Sequence, residues 1–312
     1  MSVQERKTST AGIAVAGLPG HERVYAVRDG TAVPWDALVA ARLTEIGADG
    51  VRRHGRAGLF DGALEAMARI SVLPTGAAVP VSSLQHLRPP FERHPSGAFA
   101  TGKILALGRS YRAHALELGN APLERPIVFG KLPEAMVGSG SVINLPPDAE
   151  GKMDHEAELA FVLGSDALNL ADGEGLGRVG GYFIANDLTL RTIQTAAKKA
   201  GHPWLRAKNF PGAMPVGPWL TPAAFVGDPG RLVIRCTVNG EIRQHAPVSQ
   251  MTWDVGRTVE ELSRLWPLQA GDIVSTGTPA GVSGLNPGDV CEIEISSDEI
   301  SLGTLSIRVA SA

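Results

Sequence analysis

Two glutamates one residue apart, in the run DHEAELAFVL (154–163), are the sharpest chemical signal in the chain. On a strand alternate side chains share a face, so Glu156 and Glu158 project together, and Ala160 and Val162 continue that face as apolar positions. Two carboxylates on an otherwise buried face repel each other unless a proton or a cation lies between them. Oxygen-only donors favour Mg²⁺ or Mn²⁺ over zinc. An isolated Glu-x-Glu pair is more often the solvated face of an edge strand. A third carboxylate shifts that balance. The apolar run GYFIA ends at Asn186-Asp187, and a strand end is where side chains are delivered into a site. The competing role for Asp187 is the N-cap of a helix over residues 188–194. Glu156, Glu158 and Asp187 together make an open carboxylate triad, with positions left for water and a chelating substrate.

A base is offered by GRSYRAHALELG (108–119). His114 and Glu117 share a helix face, so the carboxylate orients the imidazole as a general base for water, or the two form a surface ion pair. Arg109 and Tyr111 flank them as anion and hydrogen-bond contacts. Lys208, in PWLRAKNFPGAMPVGPW (203–219), sits among apolar residues and needs a partner. That partner is a substrate oxyanion, or the lysine snorkels to the surface. The run GDIVSTGTPAGV (271–282) is a strand entering a Gly-rich turn, which presents Thr278 and backbone N–H groups to a carboxylate. It is not a phosphate-binding P-loop, since no Gly-Lys-Ser/Thr follows.

The elements that must position these residues read mostly as strands. The chain has 312 residues with 37 Gly and 22 Pro, well above the usual share of roughly 12%, which favours many short strands joined by turns. Strands are predicted at 22–30, 103–107, 127–129, 142–146, 155–163 and 290–295. RLVIRCTVNGEIRQ (231–244) is predicted as a hairpin turning at Asn239-Gly240. Helices are expected at 35–46, 59–70, 190–200 and 255–266. LRPPFERHPSG (87–97) reads as a linker, dividing a small N-terminal α/β domain (1–98) from a second domain (99–312). A formal charge of −3 and no Lys/Arg cluster exclude a bulk nucleic-acid footprint. No apolar run reaches a membrane span, and the first twenty residues carry no signal-peptide pattern. Two cysteines, Cys236 and Cys291, give neither a disulfide framework nor a thiolate zinc site. The expectation is a cytoplasmic globular protein.

In order, GRSYRAHALE, DHEAEL, NDLTLRTIQ, GHPWLRAKNF, VNGEIRQ and GDIVSTGTPAGV resemble the fumarylacetoacetate hydrolase superfamily over about residues 100–310. The likeness is to its acylpyruvate hydrolase and oxaloacetate decarboxylase branch. The resemblance implies an α+β, predominantly β fold of the mixed β-roll type, a Mg²⁺ or Mn²⁺ ion and a homodimer. It implies Glu156, Glu158 and Asp187 as metal ligands, and His114, Glu117 and Lys208 as catalytic residues. Arg109, Tyr111, Arg191, Gln194 and Thr278 become substrate contacts. The chain departs from the family pattern at Ser110, where Asn is usual, at Thr192 for Asp, and at Asn209-Phe210-Pro211 after the lysine.

Residues and resemblance together point to a 2-oxo acid substrate chelated by the metal, which as a Lewis acid stabilises the enolate released when a carbon–carbon bond breaks. In a hydrolase, His114 held by Glu117 activates water and Lys208 steadies the oxyanion. A decarboxylase, a 2-hydroxyhepta-2,4-diene-1,7-dioate isomerase, and a non-catalytic metal-dependent small-molecule binding protein are the alternatives.

Overall fold

Apolar runs in this chain become strands of two kinds, those covered on both faces and those covered on one. The computed structural model describes residues 9–16, 23–29, 31–34, 78–80, 102–117, 125–147 and 153–311. The doubly covered strands lie in a six-stranded sheet of order Thr221–Pro222, Val179–Asn186, Ala157–Leu163, Ile273–Ser275, Ile104–Gly108, Ile127–Lys131, whose last strand, at the edge, is only partly covered. Every residue of Ala157–Leu163 is buried, Glu158 included, so the in-and-out alternation expected over 155–163 gives way to a strand covered on both faces. Phe161 and Tyr182 meet edge to face across its pairing with Val179–Asn186, at 6.5 Å between ring centroids.

The second sheet has nine strands. Its core order is Glu241–Pro247, Val233–Val238, Val290–Ser296, Ile300–Ala310, then Ser9–Ala16. Val290–Ser296 alternates between buried and exposed residues, as its sequence predicts for a sheet with one face toward water. The predicted hairpin forms at Asn239 (φ 52) and Gly240 (φ 83), both in the positive-φ region that a type I′ turn needs. Ser9–Ala16 pairs in parallel with Ile300–Ala310 through Ser9↔Ile300 and Thr10↔Ser301. Arg23–Arg28, within the predicted strand at 22–30, then extends the sheet together with Thr31–Pro34 and Val79–Pro80. Both large sheets mix parallel and antiparallel pairs, so the fold is strand-rich with few helices, as expected. The helices expected at 35–46 and 59–70, the linker and the boundary near residue 98 lie outside the described residues. No helix among those residues is long and apolar enough to cross a membrane.

Two local readings change. The strand predicted over 155–163 begins at Ala157; Met153–Asp154 is a separate short strand, and His155 and Glu156 lie in the break. The break arises because the Glu156 backbone bonds to the end of the neighbouring strand: its N–H donates to Asn186 Oδ1 at 2.9 Å and its carbonyl accepts from Asp187 N at 2.9 Å. Asp187, for its part, caps no helix. Thr189–Leu190 intervenes as a short strand, and helix Arg191–Ala200 starts after Leu190 with no side-chain cap. Its carboxylate is thereby left for other partners.

Candidate metal centre

The six-stranded sheet brings the three carboxylates together. One oxygen each from Glu156, Glu158 and Asp187 lies within 4.8 Å of the others, and all three residues are buried. Glu156 comes from the strand break, Glu158 from strand Ala157–Leu163 and Asp187 from the end of the adjacent strand. Cross-strand register puts Ala157 opposite Asn186, which fixes the two strand ends relative to each other.

Cations surround this cluster on one side. Lys208 Nζ donates to Glu156 Oε2 at 2.8 Å and to Asp187 Oδ2 at 2.5 Å. Lys131, at the end of Ile127–Lys131, donates to Asp187 Oδ1 at 2.5 Å and to the carbonyls of Lys208 (2.7 Å) and Ala213 (3.0 Å). Arg191 spreads its guanidinium over Glu156 (2.5 Å), Asp154 (2.6 Å) and Gln194 (2.6 Å). Glu158 differs: its Oε2 accepts from Ser275 Oγ at 2.5 Å and Gly277 N at 2.9 Å, and it has no ion-pair partner among the described residues.

The titration behaviour follows from these partners. Burial pushes Glu156 up, but Lys208 and Arg191 outweigh it and hold the carboxyl at about 2. Burial, reinforced by Asp187 and Glu156, pushes Glu158 up to about 8. Burial drives Lys131 down despite Asp187, whereas Asp187 and Glu156 overcome burial at Lys208 and raise it. The cluster is therefore one positive charge short at Glu158. Three hard oxygen donors, buried and short of a cation, fit Mg²⁺ or Mn²⁺.

The other predicted residues are placed as follows. Lys208 neither snorkels nor awaits a partner; it is buried and already paired with two of the three carboxylates. Gln194 is buried and serves as an acceptor for Arg191. Thr278 lies on the turn, but its hydroxyl is engaged by protein: it donates to Ala157 O (2.9 Å) and accepts from Gln244 Nε2 (2.7 Å). The turn does meet a carboxylate through a backbone N–H, that of Gly277 on Glu158. Tyr111 is buried and its hydroxyl has no partner among the described residues; burial and the Glu158 charge push its phenol up. His114 and Glu117 lie on helix Arg112–Glu117, as the spacing predicts. Both Glu117 oxygens accept from Gly281 N at 3.3 Å, docking this helix onto the turn that begins with Gly277. The His114 side chain lies outside the described residues.

Lys131, Ser275, Gly277 and Asn186 were not legible as site residues. Lys131 carried a usable signal, a lysine closing the apolar run IVFG. Gly277 is irreplaceable on geometry. It sits at φ +86, and a methyl group there would come within 2.0 Å of Ser110 Oγ and 2.9 Å of Leu107 O. Gly277→Ala is expected to cost about 3 kcal/mol from left-handed strain and overpacking, and to weaken Mn²⁺ binding by displacing the donor on Glu158. Denaturant unfolding and calorimetry check both, and an unchanged unfolding midpoint would refute the account.

The family profile described as fumarylacetoacetate (FAA) hydrolase C-terminal matches residues 103–310, which span every one of these site residues. The chain belongs to the fumarylacetoacetate hydrolase family. Among its family relatives is the mitochondrial oxaloacetate tautomerase fahd-1 of Caenorhabditis elegans, 38% identical over 190 residues, covering 61% of this chain and 88% of the relative. The crystal structure of fumarylpyruvate hydrolase from Pseudomonas aeruginosa in complex with Mn²⁺ and pyruvate is 35% identical. It covers 70% of this chain and 94% of that one, with a TM-score of 0.63. The 2-hydroxyhepta-2,4-diene-1,7-dioate isomerase of Mycobacterium marinum aligns over 96% of this chain and 98% of its own, at 27% identity and a TM-score of 0.68. Family members thus carry hydrolase, isomerase and tautomerase names on one fold.

Proposed function

We propose that this family member is a divalent-metal-dependent hydrolase that cleaves a carbon–carbon bond in an acylpyruvate or fumarylpyruvate-type 2-oxo acid. The observation that carries the reading is the buried triad of Glu156, Glu158 and Asp187, one charge short of balance. These residues would hold Mg²⁺ or Mn²⁺. When bound, the ion supplies Lewis acidity toward the oxygens of a 2-oxo acid. His114, oriented by Glu117, takes a proton from water, which attacks the distal carbonyl. Lys208 exchanges part of its hold on Glu156 and Asp187 for the developing oxyanion. Arg109, Tyr111, Arg191, Gln194 and Thr278 line or brace the substrate side. Water adds across the cleaved bond, so the products are pyruvate and the carboxylate of the acyl group.

A second reading, oxaloacetate tautomerase, is favoured by relatives bearing that name in Caenorhabditis elegans and Escherichia coli. It needs proton transfer alone. The deciding experiment supplies Mn²⁺ and acetylpyruvate, fumarylpyruvate or enol-oxaloacetate and identifies products. Stoichiometric pyruvate from an acylpyruvate, abolished by a chelator, is the expected result. Keto–enol exchange of oxaloacetate with no pyruvate from any acylpyruvate would replace hydrolysis by tautomerisation.

We infer a cytoplasmic homodimer for the same protein. Trp253 is buried in its own chain, whereas Trp266 is 41% exposed beside the exposed Leu265 and offers apolar surface to a second copy. Light scattering at micromolar concentration is expected to give twice the chain mass; a monomer of full activity would overturn the dimer.

A further inference from the structure

The two cysteines of the chain lie 55 residues apart in sequence and meet in the structure, with Cys236 Sγ 3.6 Å from Cys291 Sγ. Both are free thiols and fully buried. Strands Val233–Val238 and Val290–Ser296 pair with Cys236 opposite Ile293 and Val238 opposite Cys291, so the two thiols are diagonal neighbours across the ladder. The same two strands contact Ala157–Leu163 and Val179–Asn186 of the other sheet, the strands that carry the triad.

Each thiol touches a residue that shapes the strand break at Glu156. His155 Nδ1 lies 3.6 Å from Cys236 Sγ. Asn186 Nδ2 donates to Cys291 Sγ at 3.8 Å, while its Oδ1 accepts from Glu156 N. The surrounding network also assigns the imidazole tautomer. Gln244 Nε2 donates to Thr278 Oγ1 and Pro279 O, so Gln244 Oε1 is the acceptor facing Ala157 N and His155 Nδ1, at 3.1 Å from each. Nδ1 therefore carries a hydrogen, and Cys236 has a donor on either side, the Cys291 thiol and His155. These donors, Cys291 foremost, outweigh burial and draw the Cys236 thiol down to about 6. Its bond to Cys236 and burial push Cys291 up. Cys236 is thus the nucleophile of the pair and Cys291 the resolving thiol.

We propose that Cys236 and Cys291 are a peroxide-sensitive modification site, whose reversible disulfide loosens the metal centre through His155 and Asn186. The Cys236 sulfur attacks one oxygen of hydrogen peroxide and the O–O bond breaks, giving a sulfenic acid and water. The Cys291 sulfur then attacks Cys236, the S–O bond breaks, and a second water leaves. Both thiol hydrogens end in the waters, and two electrons pass from the sulfurs to peroxide. Bond formation brings the sulfurs from 3.6 Å to about 2 Å. That movement draws at least one of them away from His155 or Asn186, and the backbone at Glu156 shifts with it. Full burial selects a small uncharged oxidant over a bulky disulfide. The coupling to metal rests on the triad reading above; the disulfide itself does not.

The test treats the full chain with hydrogen peroxide, removes the excess and counts thiols in denaturant. Both thiols are expected to disappear with a mass loss of two hydrogens, and dithiothreitol to restore them. Calorimetry on the oxidised protein is expected to show Mn²⁺ binding weakened at least about 10-fold, the scale of losing a group that orients a metal ligand. Cys291→Ser keeps a donor to Cys236 but no resolving sulfur, so peroxide should add oxygen to Cys236 and form no disulfide. Survival of both thiols, oxygen added to either sulfur of the unsubstituted protein, a disulfide only between chains, or unchanged Mn²⁺ affinity in the disulfide form overturns the inference. If the reduced protein binds no Mn²⁺, the triad reading and the coupling fall together, and the thiol count still decides the disulfide.

Discussion

Glu158→Gln is expected to lower Mn²⁺ affinity by at least about 100-fold, with turnover falling in step, while the protein stays folded. Loss of even an outer partner of a metal ligand typically costs 10–100-fold, and here a proposed ligand is itself neutralised. Stability is spared because Glu158 forms no ion pair among the described residues, and the glutamine carbonyl still accepts from Ser275 and Gly277. Asp187→Ala gives a different result. It strips Lys131, whose side chain is fully buried, of the only carboxylate it pairs with among the described residues, and there leaves Lys208 with Glu156 alone. Breaking one side of a buried ion pair costs about 3–5 kcal/mol, so this variant should lose both metal binding and stability. Calorimetry and thermal unfolding separate the two variants. Full Mn²⁺-dependent activity in Glu158→Gln would dismiss the triad as a metal site. The pH dependence carries a matching sign. Metal-free Glu158 titrates at about 8, so at lower pH a cation must displace its proton. Mn²⁺ binding is therefore expected to tighten as the pH rises toward 8 and to release about one proton at pH 7.

His114→Ala should reduce acylpyruvate hydrolysis by roughly 10²–10⁴-fold, the usual contribution of a positioned general base. Metal affinity should barely move, because the imidazole is not among the ligands. Decarboxylation of oxaloacetate needs no attacking water and should suffer far less, so the ratio of the two activities in one variant reports His114's task. Glu117→Gln extends the argument. It retains an acceptor for Gly281 N but removes the charge proposed to orient the imidazole, and is expected to reproduce part of the His114 loss. If acylpyruvate hydrolysis survives His114→Ala untouched, the helix Arg112–Glu117 is structural and hydrolysis by this route is excluded.

The carboxylate triad was legible because each member broke a pattern: two glutamates at the head of an apolar run, and an aspartate where another run stops. The hairpin at Asn239-Gly240 was legible because its residues suit positive φ. The cation side of the site was much less visible. Lys208 announced itself only by apolar neighbours in sequence, and its partners lie 21 and 52 residues away along the chain. Lys131 and Gly277 act through tertiary contacts that no local spacing encodes. Thr278 illustrates the converse: the turn was recognised, but which of its groups reaches a carboxylate depended on a register between Ile273–Ser275 and Ala157–Leu163 that sequence does not specify. The strand break at Glu156 escaped notice because a side chain from the next strand, Asn186, creates it.

The parallel pairing of Ser9 and Thr10 with Ile300 and Ser301 bears on how the molecule comes into being. Nearly the whole chain lies between those partners, so this ladder closes one of the longest loops the fold contains, and loop-closure entropy must be met before its contacts repay it. During synthesis the first strand emerges long before its neighbour exists. Its unpaired edge then stands open to other chains, a state that invites aggregation or holding by a chaperone. Refolding from denaturant is accordingly expected to be slow, with the sheet edge at residues 9–10 among the last parts to gain protection from hydrogen exchange.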